Sequence, residues 1–295
     1  MGKALTILTL TVALAAAGCG GLNDGGGPGA TGDDDGVTDD ARIEHPSGAD
    51  ELVLRWEYRG GFVPYEYDLR RIPSWSLFGD GTILVVGPMI EIYPPPALPG
   101  LVATRVSEDG MQAILQAARD AGLMDGDASY DYPCVADAAD TVFTTNAGGT
   151  TSVVSAYALF ETDAGSCPSV DEERRAELAG FQAKLGDLAS WLPEGSIGPE
   201  EPFDVEELRV YALPYEGDPE LPQEPVAWPL PTPLEAFGEV VDGQTEGMRC
   251  GIVAGEDLDE LRPVAEGTNE LTPWTSEGTQ YRLILRPLLP DEHGC

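Results

Sequence analysis

Residues 51–58 alternate between apolar and polar side chains, which is the period-two pattern of a half-buried strand. Two further β-prone runs, residues 74–79 and 82–86, are joined by the Asp-Gly pair at 80–81, which tolerates the positive φ angles of a tight hairpin turn. Residues 101–105 continue the series with another short strand. The pattern therefore predicts an antiparallel sheet near the start of the folded chain.

Helical spacing of apolar residues follows these strands. Ser107 precedes a run whose apolar side chains fall on one helical face, as expected of a helix N-cap. A second hairpin is predicted over residues 141–159. Beyond it, Ser169 and Glu172 form a capping box for a helix whose apolar stripe continues to position 192.

The carboxy-terminal part repeats this mixture of elements. Strands are predicted over residues 208–213, 249–253 and 280–286, with a helix over residues 256–266 that contains Pro263. We expect an α+β fold, with antiparallel sheets, hairpins and one or two packed helices, arranged as two lobes. The predicted domains are 50–192 and 203–295, and the Pro- and Gly-rich segment 193–202 is the predicted linker.

The first residues have the layout of an export signal. Lys3 precedes fourteen apolar or weakly polar residues, which are too few to cross a hydrocarbon core of about 30 Å as a helix. The run that ends at Cys19 resembles the lipobox of bacterial lipoproteins, although alanine replaces the leucine usual three residues earlier. We expect residues 1–18 to be removed, Cys19 to carry lipid at the outer face of the cell membrane, and residues 19–49 to form a disordered Gly- and Asp-rich tether.

Charge excludes one class of function. The chain has 52 acidic against 16 basic residues and a formal net charge of −36. Such a surface repels phosphate backbones, so we expect no nucleic-acid partner. It would attract cations or basic partners, although solubility at high ionic strength is the simpler interpretation.

Four cysteines remain besides the predicted lipid-bearing one: Cys134, Cys167, Cys250 and Cys295. In an oxidising compartment they should pair, and three pairings are possible. The first two flank the predicted hairpin 141–159, which favours a bridge between them and leaves the last two as the second bridge. A zinc site is the alternative, but the sequence has no CxxC spacing.

Catalytic motifs give little support to an enzyme. The sequence contains no GxSxG, HExxH or SxxK pattern and no phosphate-binding glycine motif after a strand. His45 and His293 both fall in segments predicted to be flexible, which disfavours histidine-dependent catalysis. A pair of carboxylates would still support hydrolysis, but the sequence does not select one. We therefore predict no catalytic residues, no cofactor and no metal, with a carboxylate-dependent hydrolase as the alternative.

Aromatic and arginine side chains concentrate between residues 55 and 78, and they suggest a platform for a sugar or an acidic peptide. The candidate platform residues are Tyr65, Tyr67, Arg70, Arg71 and Trp75. The alternative is that the aromatic rings fill the core while the arginines pair with carboxylates. Oxygen-bearing side chains at residues 125, 127, 129 and 131 have the alternation of a calcium loop, but Tyr130 and Ala136 occupy the positions that an EF-hand gives to glycine and glutamate.

Three short stretches carry a resemblance to a known group. They are LFGDGT around Asp80, NAGGTT with VSAYAL from Asn146, and RPLLPDE near Cys295. In these stretches the chain resembles uncharacterised secreted lipoproteins of high-GC Gram-positive bacteria. The resemblance implies a cell-surface protein and supplies no active site. We expect a non-catalytic lipoprotein that binds a protein, glycan or small ligand or has a structural role; inhibition of exported enzymes through residues 215–233 is a further alternative.

Overall fold

The computed structural model describes residues 42–88, 91–161, 167, 170–217, 219–241 and 245–295. These residues form an eight-stranded sheet and a six-stranded sheet with four α-helices. The strands of the first sheet are β1 (Leu52–Gly60), β2 (Trp75–Phe78), β3 (Thr82–Val86), β4 (Leu101–Val106), β5 (Ala128–Tyr130), β6 (Ala139–Ala147), β7 (Thr150–Tyr157) and β8 (Ile197–Phe203). Their spatial order is β5-β7-β6-β1-β2-β3-β4-β8, and all pairs are antiparallel except β5 with β7.

The turn between β2 and β3 shows how local sequence sets the register. Gly81 has a φ angle of +84°, and a Cβ atom placed there would lie 2.3 Å from the carbonyl oxygen of Val106. The side chain of Asp80 accepts a hydrogen bond of 2.9 Å from the backbone N–H of Thr82. Glycine is therefore required both by the backbone conformation and by the close approach of β4, and the predicted hairpin is confirmed.

Two helices, α2 (Glu108–Asp120) and α3 (Glu172–Leu185), cover one face of this sheet and share a core with it. Ser107 caps α2 as predicted, since its hydroxyl accepts a hydrogen bond from the N–H of Gly110. The cap of α3 is Asp171, whose carboxylate accepts a hydrogen bond of 3.1 Å from Arg174 N–H. Ser169, the predicted cap, lies outside the described residues.

The second sheet consists of β9 (Glu207–Pro214), β10 (Val226–Ala227), β11 (Glu239–Val240), β12 (Arg249–Ala254), β13 (Pro273–Ser276) and β14 (Thr279–Pro287). Its order is β10-β13-β14-β9-β12-β11. Alternate residues of β9 and β14 face opposite sides. One side packs with helix α4 (Gly255–Glu266), and the other packs against the short helix α1 (Tyr65–Arg70).

The two sheets share a hydrophobic core. Phe78 and Leu84 from the first sheet pack in the same buried cluster as Val210 and Leu285 from the second. The α+β fold is confirmed. Residues 193–202, predicted as a linker, contain most of β8, which pairs with β4 at the edge of the first sheet. The last strand of the first sheet is therefore formed by residues that follow the predicted end of the first domain at residue 192.

The last part of the predicted tether is packed on the folded body. Ile43 is 5% exposed, and its N–H donates a hydrogen bond of 2.8 Å to Gln112. The carbonyl of Glu44 accepts a hydrogen bond from Gly148 N–H. The rest of the tether, the predicted signal 1–18 and Cys19 lie outside the described residues. Within the described ranges, no helix combines the length and hydropathy needed to cross a bilayer.

Segment 288–295 is held by both sheets. Arg55 of β1 makes an ion pair of 2.7 Å with Asp291, and Arg286 of β14 makes two hydrogen bonds to Glu292. Cys295 is bonded to Cys250, and the other disulfide joins Cys134 to Cys167, with Cα–Cα distances of 5.9 and 5.7 Å. Both predicted disulfides are therefore present.

Candidate functional site

A cleft of 760 Å³ opens where the end of β1, helix α1, loop 92–99 and strand β14 meet. Its floor is aliphatic and includes Ile72, Val86, Leu283 and Leu285. Its volume lies within the range of about 300–1,000 Å³ that is typical of small-molecule sites. The cleft is therefore large enough to enclose most of a small ligand.

Exposed apolar side chains are concentrated at the rim of this cleft. Of the nine large apolar residues exposed in the described part of the chain, six line it: Tyr58, Phe62, Val63, Tyr67, Ile92 and Tyr93. The most exposed are Phe62 and Tyr93, at 86% and 69%. Single exposed apolar residues are ordinary, whereas a group gathered on one concave surface marks an interaction site.

A proline-rich loop forms one wall. Pro95, Pro96 and Pro99 line the cleft, and proline restricts the backbone to one narrow range of φ. The loop is fastened to a neighbouring turn, because Ala97 N–H donates to Thr268 and the Pro95 carbonyl accepts from Glu270 N–H. This wall is consequently formed before any ligand arrives.

The opposite side is set by the turn after β1. Gly60 and Gly61 have φ angles of +66° and +88°, so the chain leaves the strand through a conformation that favours glycine. The N–H of Phe62 then donates a hydrogen bond of 3.0 Å to the carbonyl of Asp137. These contacts hold the backbone of Phe62 while its ring stays exposed.

The two arginines that line the cleft, one at the end of α1 and one directly after it, are paired with carboxylates. Arg70 forms an ion pair with Glu270, and Arg71 forms one of 3.1 Å with Asp68. Arg71 also donates hydrogen bonds to the carbonyls of Tyr58 and Gly60 and lies over the Tyr67 ring, 5.3 Å from its centroid. Burial lowers the pKa of Arg70, and the nearby charge of Arg282 lowers it further.

The structure brings together only part of the predicted platform. Tyr67, Arg70 and Arg71 line the cleft. Tyr65 packs instead against the second sheet, and Trp75 is 4% exposed within the core under α2 and α3. All four residues of β2 are buried, so Trp75 has no face to offer a ligand.

Among the described residues, two carboxylates line the cleft, those of Asp137 and Glu270. The second is engaged by Arg70, whereas Asp137 is exposed. In strand β6, outside the cleft lining, burial raises the pKa of Asp140 and the charge of Asp131 raises it further. Asp137 is therefore the carboxylate of the described cleft lining that is not engaged in an ion pair.

The acidic loop does not have the geometry of a calcium site. Residues 128–130 form strand β5, in which side chains two residues apart are about 6.6 Å apart. Asp127 accepts a hydrogen bond from Val153 N–H, and Ser129 bonds to Ser155. In the described part of the chain, no group of three or more acidic, histidine or cysteine side chains is arranged to hold a metal ion.

His45 lies in a segment predicted to be flexible, but the structure holds it in place. One ring nitrogen lies 2.6 Å from the carbonyl oxygen of Pro46, and the other lies 3.3 Å from a carboxylate oxygen of Glu108. Its side chain is 10% exposed. The ring thus fastens the chain entering β1 to helix α2.

The proline-rich segment 215–233 contributes to the core. Trp228 packs edge-to-face against Phe237 and Trp274, with centroid distances of 5.6 and 6.1 Å. Its ring N–H donates to the carbonyl of Thr232. Trp228 is therefore buried in the core and is not presented on the surface for contact with an enzyme.

Several cleft residues were missed by the sequence analysis: Ile92, Tyr93, Asp137, Glu270 and the prolines of loop 92–99. The run Tyr93-Pro94-Pro95-Pro96 was a usable signal, because consecutive prolines predict a stiff extended segment with its side chains exposed. Asp137 and Glu270 had no such signal, since the sequence contains 52 acidic residues and only the fold brings these two to the cleft.

Comparison with known proteins adds no relative to this picture. No protein family, curated protein or solved structure matches the chain. The cleft and the export features of the sequence are therefore the features that point to a function.

Proposed function

We propose that this protein is an exported lipoprotein, anchored through lipid on Cys19, that binds a ligand in the aromatic cleft without chemically changing it. The observation that carries the binding role is the collection of six exposed apolar side chains around a preformed cavity. Exposing these side chains has a free-energy cost that a ligand would remove by covering them. Two disulfides support folding in an oxidising compartment.

The carboxylate-dependent hydrolase is less well supported. Such an enzyme needs two acids that face the scissile bond, one of them free to act as nucleophile or base. Of the two carboxylates that the described residues contribute to the cleft, Glu270 is already neutralised by Arg70. The arrangement therefore supports ligand binding better than it supports hydrolysis.

Binding can be measured with prodan, an uncharged fluorophore whose emission shifts to the blue in apolar surroundings. We expect saturable binding, weakened about tenfold by Phe62→Ala through loss of an aromatic contact. The unfolding midpoint should not change, because Phe62 is 86% exposed. Phe160→Ala is the matched control, since Phe160 is 55% exposed outside the cleft. Equal effects of the two substitutions, or no binding, would contradict the proposal.

Lipid anchoring has a separate test. Replacing Cys19 with serine should move the protein from the membrane fraction to the soluble fraction, because serine cannot receive the thioether-linked lipid. Metabolic labelling with a palmitate analogue should likewise disappear. A protein that stays in the membrane fraction after this substitution is anchored in some other way.

A further inference from the structure

The charges at one end of the cleft indicate what kind of ligand it accepts. Arg70 and Arg71 are already neutralised by Glu270 and Asp68. Asp137 is exposed at the rim, and among the described residues it has no ion-pair partner. Of the four charged residues that line the cleft in the described part of the chain, Asp137 is therefore the one without an ion pair.

Asp137 shares its end of the cleft with two aromatic residues, Tyr58 and Phe62. The last residue of β1, Gly60, pairs with Ala139 at the start of β6, which brings the ends of these strands together. The Asp137 carbonyl accepts the hydrogen bond from Phe62 N–H, and Tyr58 lines the same cleft with 38% of its surface exposed. Carboxylates and aromatic faces both attract cations, the rings through their quadrupole.

The net charge of the whole protein also favours a cationic ligand. A net charge of −36 attracts cations over long range and repels anions. An acidic ligand would therefore meet repulsion from the molecule at a distance, and in the cleft it would meet the unpaired carboxylate of Asp137.

We infer that the cleft accepts an organic cation with an apolar or aromatic body, whose cationic group lies against Tyr58, Phe62 and Asp137 and whose body covers the aliphatic floor. This inference rests on the proposed function, because it names the ligand class of the same cleft. Ammonium and quaternary ammonium compounds belong to this class.

The test compares three probes with the same naphthalene body: naphthylmethyl trimethylammonium, naphthalenemethanol and naphthalenesulfonate. Each is titrated against the full chain by displacement of prodan and by calorimetry. We expect the cation to bind about tenfold more tightly than the alcohol, and the sulfonate to bind most weakly. The preference for the cation should diminish at high salt, where charge interactions are screened.

Asp137→Asn should lower the affinity for the cation about fivefold, with a smaller effect on the alcohol. Asp259→Asn is the matched control: it removes one negative charge from an exposed position on α4, outside the cleft, and should leave the order and size of the three affinities unchanged. Binding of the alcohol as tight as that of the cation would overturn the inference while leaving the proposed function intact. Tightest binding of the sulfonate would also overturn it. Failure of all three probes while prodan still binds would overturn the inference alone, whereas failure of prodan as well would reject the proposed function.

Discussion

Replacing Arg175 with methionine should lower the free energy of unfolding by about 3 kcal/mol. Arg175 is 4% exposed, and its guanidinium donates hydrogen bonds to the carbonyls of Tyr130, Tyr157 and Ala158. It also stacks over Tyr132, 4.8 Å from the ring centroid. Methionine fills a similar space but has no hydrogen-bond donor. The three backbone carbonyls remain in the variant and lose their hydrogen-bond partner.

Arg174→Met is the matched control for this prediction. Arg174 is the adjacent residue of α3, but its side chain is 40% exposed and pairs with Glu177 on the surface. Its replacement should leave the urea midpoint unchanged within error, whereas Arg175→Met should lower the midpoint without changing the m-value. Equal midpoints for the two variants would show that Arg175 does not hold α3 to the ends of β5 and β7.

Replacing Glu292 with glutamine should cost about 3 kcal/mol at neutral pH. Glu292 accepts hydrogen bonds of 2.6 and 2.9 Å from Arg286, whose side chain is 7% exposed. Glutamine keeps the shape but removes the charge, which leaves a buried guanidinium without its counterion. Asp109→Asn, which removes a 75% exposed partner of Arg42, should cost less than about 0.5 kcal/mol.

The effect of Glu292→Gln should depend on pH. Burial alone would raise the pKa of Glu292, but hydrogen bonds and charge from Arg286 outweigh burial and lower the pKa below its usual value of 4.5. The folded state therefore binds this proton less readily than the unfolded chain, and the stabilisation is complete above about pH 5 and is lost as the pH falls through the folded-state pKa. In urea titrations at a series of pH values, the difference between the two proteins should decrease in acid. A constant difference would contradict this account.

The local sequence pattern was sufficient to predict those elements whose residues contact residues close to them in the chain. The β2–β3 hairpin follows from its Asp-Gly turn, and α2 follows from Ser107 and a regular apolar face. Helix α1 was missed because six residues are too few to show a period, and its stability comes from packing on β14. Strand β8 was interpreted as a linker because it lies at a sheet edge, with five of its seven residues exposed, and so needs no apolar alternation.

The candidate site was predictable only in its local part. The concentration of aromatic and arginine residues between positions 55 and 78 does mark one side of the cleft. The partners of the arginines come from distant positions, as Glu270 does for Arg70 across 200 residues. Trp75 was misplaced because sequence alone does not tell a buried four-residue strand from an exposed aromatic run.

The residues of strand β8 matter where many copies of the protein lie close together on a surface. If Cys19 carries lipid, many copies share one membrane plane, where edge-to-edge association of sheets is promoted by high local concentration. Strand β8, the outermost strand of its sheet, contains Pro199 and Pro202, which lack N–H donors, and Glu200 and Glu201, which would repel the same residues of a neighbouring copy. In a molecule anchored in this way, the exposed strand would therefore be a poor template for edge-to-edge aggregation.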